Sequence, residues 1–314
     1  MRGTMICGGL DIGGTKIEAR LFGPGMEPGG SRRVATPRAD AAAFFAALAA
    51  QVAWLRAQGG FALPIGIAMS GVVEPGNGPD SGIVRAANLP ISGEHMDSRL
   101  RQIAGRALPV MNDAMALAFS EANGGAGAAA GASVGLVLGT GLAAGLCIDG
   151  RPAPRHGGIA VELGHCGMPA RALARHGLGL WPCGCGRQGC IESYVAGPGL
   201  ARLAETLGQA GDPQALAVRD DPAARRVLDT WADLAAEALE VLQMTLAPPV
   251  VVLGGGLSRM PGVVARLERA LAPRLMAGVP PPALRLARFG DASGVRGAAL
   301  LALREAGGGA AWTR

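Results

Sequence analysis

Three cysteines and one histidine are spaced as ligands of a metal ion. Cys183, Cys185 and Cys190 lie close together among glycines, and His165 precedes them. Thiolates with one imidazole form the tetrahedral ligand set that Zn²⁺ prefers. Four protein ligands would leave no position for water or substrate, so this spacing predicts a structural zinc. A group of buried thiols beside a histidine is the weaker interpretation of the C-x-C-x4-C spacing.

Three glycine turns, each directly after an apolar segment, could bind a nucleotide. They lie at residues 11–16 (DIGGTK), 139–141 (GTG) and 254–256 (GGG). Glycine has no Cβ, so backbone N–H groups there can closely approach a phosphate. Each turn alone is equally compatible with an ordinary hairpin, and the spacing of a Walker A loop is absent. The three turns together predict a nucleotide that is bound from several sides, and Asp11 is available as a ligand for a metal ion.

A polar pair, Asn112 and Asp113, ends another apolar segment and opens a helical one. Either residue could cap that helix through its side-chain oxygen. Alternatively, Asp113 could be a general base that accepts the proton of a hydroxyl group. The residues alone leave both interpretations open. The other histidines, at positions 95, 156 and 176, have no recognisable partners, and Cys7, Cys147 and Cys166 are interpreted as small core residues.

Composition limits the class of protein. A chain of 314 residues, 49% of them hydrophobic, is long enough for two domains with sizeable cores. The formal charge of +5 is dispersed and only 4% of residues are aromatic, so nucleic-acid binding is not expected. Nearly all cationic residues are arginine, and Lys16 is the only lysine.

Cysteine usage and hydropathy predict a cytoplasmic protein with no membrane segment. Six cysteines, three of them with metal-site spacing, are typical of reduced thiols. Residues 122–148 carry no charge, but their many glycines would make a poor membrane span, and buried strands are the better interpretation. The segment before residue 6 is too short for a signal peptide.

Strands that alternate with helices predict an α/β architecture. Apolar runs predict strands at residues 5–11, 17–22, 64–69, 108–111, 134–138, 143–148 and 250–253. Helical apolar spacing predicts helices at 39–58, 96–106, 114–122, 224–246 and 295–305. Each half of the chain opens with a strand, a glycine turn and a strand, which indicates an internal duplication. Two lobes with a cleft between them are expected.

The motifs in combination resemble the ROK family of sugar kinases and repressors over nearly the whole chain. They are LDIGGTK, ND, LGTG, ELGH, CGCGRQGC-IE, VVLGGG and RFGDASGVRGAALLAL. Their order, the closing segment and AANLP at 86–90 are most similar to bacterial N-acetylglucosamine kinase, with fructokinase next. The resemblance implies a two-lobed, actin-like and ribonuclease-H-like sugar kinase fold with a structural zinc site. Residues 1–115, completed by 293–314, would form the first lobe and residues 116–292 the second, with the zinc motif.

The resemblance also implies specific roles. Sugar contacts would come from Asn88, Asn112, Asp113, Glu162, His165 and Glu192, with Asp113 as the base. Zinc ligands would be His165, Cys183, Cys185 and Cys190. ATP, with Mg²⁺ held at Asp11, would be bound by Gly9, Asp11, Gly13, Gly14, Thr15, Lys16, Gly139, Thr140 and Gly141, and near its adenosine by Gly254, Gly255 and Gly256. A homodimer is expected on the same ground.

The expected activity is transfer of phosphate from ATP to the 6-hydroxyl of a hexosamine or hexose, with N-acetyl-D-glucosamine as the first choice and fructokinase or glucokinase as alternatives. Met115 stands where the family has asparagine, and Ala143 and Ala144 stand where it has glycines. A sugar-binding protein with weakened catalysis is therefore the alternative from another class. A repressor of the family is not expected, because DIGGTK begins at residue 11 and leaves no room for a DNA-binding domain.

Overall fold

The computed structural model describes residues 4–74, 82–154, 159–209 and 212–307. Within those ranges the chain divides into two compact units. The first comprises Met1–Ser120, Arg151–Ala160 and Ala292–Arg314, and the second comprises Glu121–Gly150 and Val161–Asp291. The expected lobe boundary at 115/116 falls inside a helix, Asp113–Ala122. Histidine 156 and positions 75–81 lie outside the described residues.

Strands and helices alternate as the sequence predicts. The strands are β1 (Cys7–Ile12), β2 (Lys16–Phe22), β3 (Pro28–Ala35), β4 (Ile65–Met69), β5 (Val72–Val73), β6 (Val84–Arg85), β7 (Val110–Asn112), β8 (Ala132–Leu138), β9 (Leu142–Ile148), β10 (Arg151–Pro152), β11 (Val250–Gly254) and β12 (Ala283–Leu286). The helices are α1 (Ala41–Gly59), α2 (Met96–Ala104), α3 (Asp113–Ala122), α4 (Ala170–His176), α5 (Glu192–Val195), α6 (Gly197–Thr206), α7 (Pro213–Ala217), α8 (Pro222–Leu246), α9 (Val263–Leu271) and α10 (Ser293–Ala306).

The predicted strands and helices are confirmed, with ends that shift by one or two residues. Strand β3 was not predicted, because its residues are nearly all exposed and show no apolar run. The uncharged stretch 122–148 contains the buried strands β8 and β9. Among the described residues, no helix has the length and apolarity needed to cross a bilayer.

Both five-stranded sheets are built on the same plan. The first has the order β3-β2-β1-β4-β7 and the second β10-β9-β8-β11-β12. In each, the central strand pairs antiparallel with the strand that follows it and parallel with a later one. The strand order therefore repeats, which supports the internal duplication indicated by the sequence.

Helix α10 packs on the first sheet at distances that only glycine permits. A Cβ at Gly9 of β1 would overlap the carbonyl oxygen of Val295, and one at Gly66 of β4 would overlap that of Ala298. Helix and sheet are therefore closer than a pair lined by larger residues could be. This packing brings the start of α10 against the end of β1.

The long helix α8 organises the core of the second unit. Asp221 caps its N-terminus by accepting hydrogen bonds from the backbone N–H groups of Ala223 and Ala224, and Pro222 occupies the first turn. Trp231 is completely buried, and its indole N–H donates to the carbonyl oxygen of Val195 over 2.8 Å. The helix forms one wall of the second unit's hydrophobic core.

Candidate functional site

The carboxyl ends of the parallel strands in the first sheet bring polar residues to one edge. Asp11 near the end of β1 pairs with Ala68 of β4, and Met69 pairs with Asn112 of β7. Asp113 follows Asn112 directly and begins α3. Carboxyl edges of parallel strands are where open α/β sheets bind ligands. Asp11, Asn112 and Asp113 are thus brought together within the first unit.

Asp11 is an unusual carboxyl group. Burial, followed by the nearby Asp113 carboxylate, raises the pKa of Asp11 to about 7, while Lys16 opposes the shift. A Cβ placed at Gly294, in the first turn of α10, would lie 3.1 Å from Asp11 Oδ2. Two neighbouring carboxylates, one of them poorly hydrated, suit a divalent cation that also binds phosphate oxygens. The donor set therefore fits the Mg²⁺ that accompanies ATP, and Gly294 is a site residue that the sequence reasoning missed.

Asn112 caps helix α3, one of the roles that the sequence left open. Its side-chain oxygen accepts hydrogen bonds from the backbone N–H groups of Ala114 (2.8 Å) and Met115 (3.4 Å). Its amide donates to the carbonyl oxygen of Gly71 over 3.1 Å. Asp113 also accepts from Ala114, at 2.9 Å, through Oδ1. The cap fixes the direction in which α3 leaves the sheet and so places the Asp113 carboxylate.

The first glycine turn connects β1 with β2. The N–H of Gly13 donates to the carbonyl oxygen of Lys16 over 3.0 Å, and Thr36 Oγ1 donates to that of Gly13 over 2.6 Å. A Cβ at Gly14 would meet Asn88 at 3.3 Å, so the AANLP segment lies against this turn. Gly9, in contrast, is buried beneath α10. Helix packing explains why it is glycine, and its contact with ATP stays a prediction.

Two further glycine turns lie at the corresponding edge of the second sheet. Gly139, Thr140 and Gly141 join β8 to β9, and β8 pairs parallel with β11, which ends at Gly254. The N–H of Gly197, at the start of α6, donates to the carbonyl oxygen of Gly139 over 2.8 Å. The turn that follows β11 continues with Gly255 and Gly256.

Gly255 is glycine for two independent reasons. Its φ is +84°, and a Cβ there would overlap the carbonyl oxygen of Leu138 at the end of β8. Ala143 and Ala144, which stand where the family has glycines, are unstrained: neither has a positive φ, and both lie in β9 in register with β8. Their departure from the family pattern therefore imposes no left-handed backbone.

The predicted metal ligands converge in the second unit. The ligand atoms of His165, Cys183, Cys185 and Cys190 all lie within 4.8 Å of one another. Cys185 Sγ is 3.7 Å from Cys190 Sγ, and Cys183 Sγ is 3.6 Å from His165 Nδ1. The edges of a tetrahedron with ordinary zinc–sulfur and zinc–nitrogen bonds are about 3.5–3.8 Å. The four residues therefore fit a tetrahedral zinc ion.

The thiols in this cluster differ in acidity. The Arg187 side chain, hydrogen-bonded to the sulfur, and its backbone N–H lower the pKa of Cys185 to about 6. Burial raises the pKa of Cys190 to about 12. Thiolates are the metal-binding form, so Cys185 is available to a cation at neutral pH while Cys190 must lose its proton on binding.

Two carboxylates flank the cluster. Glu162 Oε2 is 4.0 Å from His165 Nε2, the ring nitrogen that faces away from the thiols. Glu192 Oε1 is 3.9 Å from Cys183 Sγ, and its Oε2 accepts a 2.8 Å hydrogen bond from the N–H of Leu142. Glu192 thus ties the cluster to the turn 139–141. Glu162, His165 and Glu192 form the second unit's group of predicted sugar-binding residues.

Two expectations about isolated side chains were wrong. Cys166 is exposed rather than part of the core, because it lies in the loop directly after His165, at the end of the 3₁₀-helix Leu163–His165. His176 has a partner: its Nε2 is 2.7 Å from Asp233 Oδ2. That contact joins α4 to α8, elements too far apart in sequence for a motif to show it.

Comparison with known proteins decides the family. Residues 7–305 match the sequence model of the ROK family. The chain belongs to the ROK family. An N-acetylgalactosamine kinase from Shewanella sp. (strain ANA-3) is 41% identical over 298 residues, which cover 93% of this chain and 95% of the relative. An N-acetyl-D-glucosamine kinase from Escherichia coli O9:H4 (strain HS) is 36% identical over 304 residues, covering 95% of this chain and 99% of the relative.

A solved structure agrees with the ROK assignment. The ROK hexokinase from Thermus thermophilus superposes with a TM-score of 0.81 at 31% identity, covering 96% of this chain and 99% of the hexokinase. The mixed α/β fold expected of a ROK sugar kinase is therefore confirmed.

Proposed function

We propose that this protein is an ATP-dependent hexosamine kinase that phosphorylates the 6-hydroxyl of an N-acetylated hexosamine. The proposal rests on one observation: relatives named as N-acetylgalactosamine and N-acetylglucosamine kinases align with more than nine tenths of the chain, at 41% and 36% identity. The polar edge of the first sheet supports a kinase chemistry, because it combines a candidate base with a candidate magnesium ligand.

Asp113 is the proposed general base. It accepts the proton of the sugar hydroxyl while the hydroxyl oxygen attacks the γ-phosphorus of ATP, so that a phosphate ester forms and ADP leaves. Such proton transfer contributes about 10²–10⁴-fold to the rate. The backbone cap made by Asn112 supports this role, because it holds the first turn of α3 in place. Mg²⁺ bound with ATP would supply charge neutralisation on the phosphates, and Asp11 would be its protein ligand.

The glycine turns are the proposed phosphate-binding elements. Backbone N–H groups at Gly14, Thr140 and Gly141 would donate to phosphate oxygens, helped by the exposed hydroxyls of Thr15 and Thr140. The N–H groups of Gly13 and Gly139 donate within their own turns, to the carbonyl oxygens of Lys16 and Gly141, and shape those turns instead. Gly254–Gly256 would lie near the adenosine. Positioning and charge stabilisation are the main tasks of a protein in phosphoryl transfer, and preorganised backbone donors perform both.

Sugar binding is proposed for Asn88, Asn112, Glu162, His165 and Glu192. The orientation of the His165 ring supports a structural zinc, because its Nδ1 faces the thiols. Its other nitrogen, Nε2, stays available for a sugar hydroxyl. The zinc would hold the histidine ring without contacting the reacting atoms. A homodimer and a cytoplasmic location belong to the same proposal.

Two hexosamines are candidates, where the sequence alone favoured N-acetyl-D-glucosamine. The 41% identity to a relative named as an N-acetylgalactosamine kinase makes N-acetylgalactosamine an equal candidate substrate. The two substrates differ only in the configuration of the 4-hydroxyl, so one hydrogen bond can decide between them. Met115, which is buried, cannot provide the amide that the family pattern has at this position.

The deciding experiment is a coupled ADP-release assay with MgATP. The panel would contain N-acetylglucosamine, N-acetylgalactosamine, N-acetylmannosamine, glucose and fructose. We expect one of the first two to have the highest kcat/KM. Turnover confined to glucose or fructose would favour the hexokinase-type alternatives. Sugar binding by calorimetry without turnover of any of the five would contradict the kinase proposal and favour a sugar-binding protein.

A further inference from the structure

A row of charged residues crosses the first sheet beside the turn 13–16. Asp11 of β1 pairs directly with Glu18 of β2, and Glu18 pairs directly with Arg33 of β3. Directly paired residues have side chains on the same face of a sheet. Lys16 lies two residues before Glu18 on β2 and therefore shares this face. The row connects the edge strand β3 with the carboxylate proposed to hold magnesium.

Glu18 is the centre of the row. Its side chain is only 2% exposed. Oε1 accepts hydrogen bonds from Nε and Nη2 of Arg20, at 3.2 and 2.8 Å, and Oε2 accepts from Nε and Nη2 of Arg33, at 3.0 and 2.5 Å. The ammonium of Lys16 lies 3.7 Å from Oε2. One buried carboxylate thus faces three cations.

Two arginines are sufficient to neutralise and satisfy Glu18. Each oxygen already accepts two hydrogen bonds from one guanidinium group, and such charge-assisted hydrogen bonds are stronger than neutral ones. The third cation, Lys16, is not needed for this purpose. Its side chain is 36% exposed, and it ends the turn proposed to bind phosphate. Lys16 is also the only lysine in the chain.

We propose that Glu18 is a positioning residue that holds the ammonium of Lys16 at the glycine turn, where Lys16 contacts the phosphates of the nucleotide. This inference rests on the proposed kinase function. Glu18 acts through Lys16 and does not itself touch the nucleotide. The negative charge of Glu18 by itself repels phosphate at long range and weakens MgATP binding. A positioning role strengthens binding, so the two effects predict different changes in the Kd of MgATP when Glu18 or its partners are substituted.

The test is direct binding of MgATP by calorimetry without sugar. Glu18→Asp keeps the charge but withdraws the carboxylate by one methylene group. We expect it to raise the Kd of MgATP about threefold, as expected for a partly exposed pair. Lys16→Met should raise Kd about tenfold through loss of one charged contact. The double variant should be no worse than Lys16→Met. Arg20→Met, which frees the oxygen remote from Lys16, is the matched control and should leave Kd unchanged.

Two results would overturn the inference: an unchanged Kd in Glu18→Asp, or a double variant whose loss is the product of the two single losses. If Glu18→Asp fails to fold, Arg33→Met replaces it as the test. This substitution changes a half-exposed side chain and leaves Lys16 as the remaining cation at Oε2 of Glu18. Positioning predicts an unchanged or lower Kd for it, whereas a field effect predicts a higher one.

The binding measurement also separates this inference from the proposed function. A wild-type protein that binds MgATP but phosphorylates none of the sugars would contradict the kinase proposal and leave the comparison of variants intact. A wild-type protein that binds no MgATP would overturn the positioning role as well. With active protein, the KM for MgATP should follow Kd, while the KM for the sugar stays within about twofold.

Discussion

The two sheets share a strand order but differ in the chemistry of their carboxyl edges. The first edge carries the acidic and amide side chains of Asp11, Asn112 and Asp113, and the helix cap positions the last two. The second edge carries turns of glycine, residues 139–141 and 254–256, whose proposed functional groups are backbone N–H groups. On the proposed function, the same plan thus supplies reactive side chains in one unit and backbone donors in the other.

This difference determines which substitutions each unit can tolerate. An edge that acts through carboxylates is sensitive to the charge of single side chains and to pH. An edge that acts through its backbone is sensitive to added volume and to the contacts that hold its turns, such as the hydrogen bond between Glu192 and the N–H of Leu142 after the turn 139–141. Substitutions that preserve shape should therefore affect the first unit, and substitutions that preserve charge should affect the second.

The largest expected effect is that of Asp113→Asn on turnover. The amide keeps the size of the side chain and an oxygen for the N–H of Ala114, but it cannot accept the proton of the sugar. We expect kcat to fall about 10³-fold, with the Kd of the sugar nearly unchanged. Steady-state kinetics and calorimetry check the two parts.

Asp220→Asn provides the control for this substitution. Asp220 is exposed and pairs only with Arg225 in the described structure, at 3.2 Å. It should keep wild-type kcat. Near-normal turnover in Asp113→Asn would refute the assignment of the base and with it the claim that the reactive carboxylate lies at the first edge.

The second largest effect is expected from loss of the metal site. Cys190 is 2% exposed, and Cys190→Ser removes one of the four ligands. Elemental analysis should show loss of about one zinc per chain, and the unfolding midpoint should fall by about 10 °C, since structural zinc contributes several kcal/mol. Hydrogen exchange should rise in the second unit.

Cys166→Ser is the matched control, because Cys166 is exposed and follows the ligand His165 without joining the cluster. Its zinc content and midpoint should equal those of the wild type. A Cys190→Ser protein that kept its zinc would disprove the ligand set.

The third prediction separates backbone strain from close approach. Gly255 and Gly278 both have a φ of +84°, but a Cβ would overlap Leu138 only at Gly255, whereas at Gly278 it would meet no described atom within 4 Å. Gly278→Ala should cost about 1 kcal/mol from strain alone, and Gly255→Ala about 3 kcal/mol. Urea denaturation measures both. Equal losses would show that the turn does not depend on the contact between β8 and β11.

The sequence predicted those parts of the molecule whose causes are local. Buried strands such as β4 and β11 are apolar runs, and the metal ligands are close enough in sequence for their spacing to be recognised. Strand β3 was missed because an exposed edge strand needs no apolar face. The hydrogen bond from the N–H of Leu142 to Glu192 was missed because it joins residues 50 positions apart.

Asn112 and Gly294 show a second limit of sequence reasoning. The residue types were compatible with a cap and with a catalytic pair at 112–113, and only the hydrogen bonds assign the cap to Asn112. Gly294 looks like any glycine near a helix start, and its importance arises because α10 meets β1 at Asp11. Such contacts depend on the packing of distant segments.

The fourth prediction concerns the unusual acidity of the first edge. Folding raises the pKa of Asp11 from 3.8 to about 7, so the unfolded chain binds fewer protons than the folded one between these values. Stability that is fully present below pH 4 is therefore lost as the pH rises towards 7. Asp11→Asn should remove this loss and stabilise the magnesium-free protein at pH 8 by about 2 kcal/mol, an effect that denaturation at pH 4 would not show. An equal difference at both pH values would contradict it.

The smallest expected effect has the opposite sign and lies in the second unit. Burial opposes the shift, but hydrogen bonds from His176, Arg274 and Arg175 lower the pKa of Asp233 to about 2. This pairing stabilises the fold above pH 4, and its contribution, about 1 kcal/mol after solvent screening, is lost as the pH falls towards 2. Asp233→Asn should flatten the acid limb of a stability profile measured by urea denaturation. Asp229→Asn, an exposed carboxylate of the same helix, should retain it. If both variants kept the wild-type acid limb, the contrast between a first unit weakened by rising pH and a second weakened by falling pH would not hold.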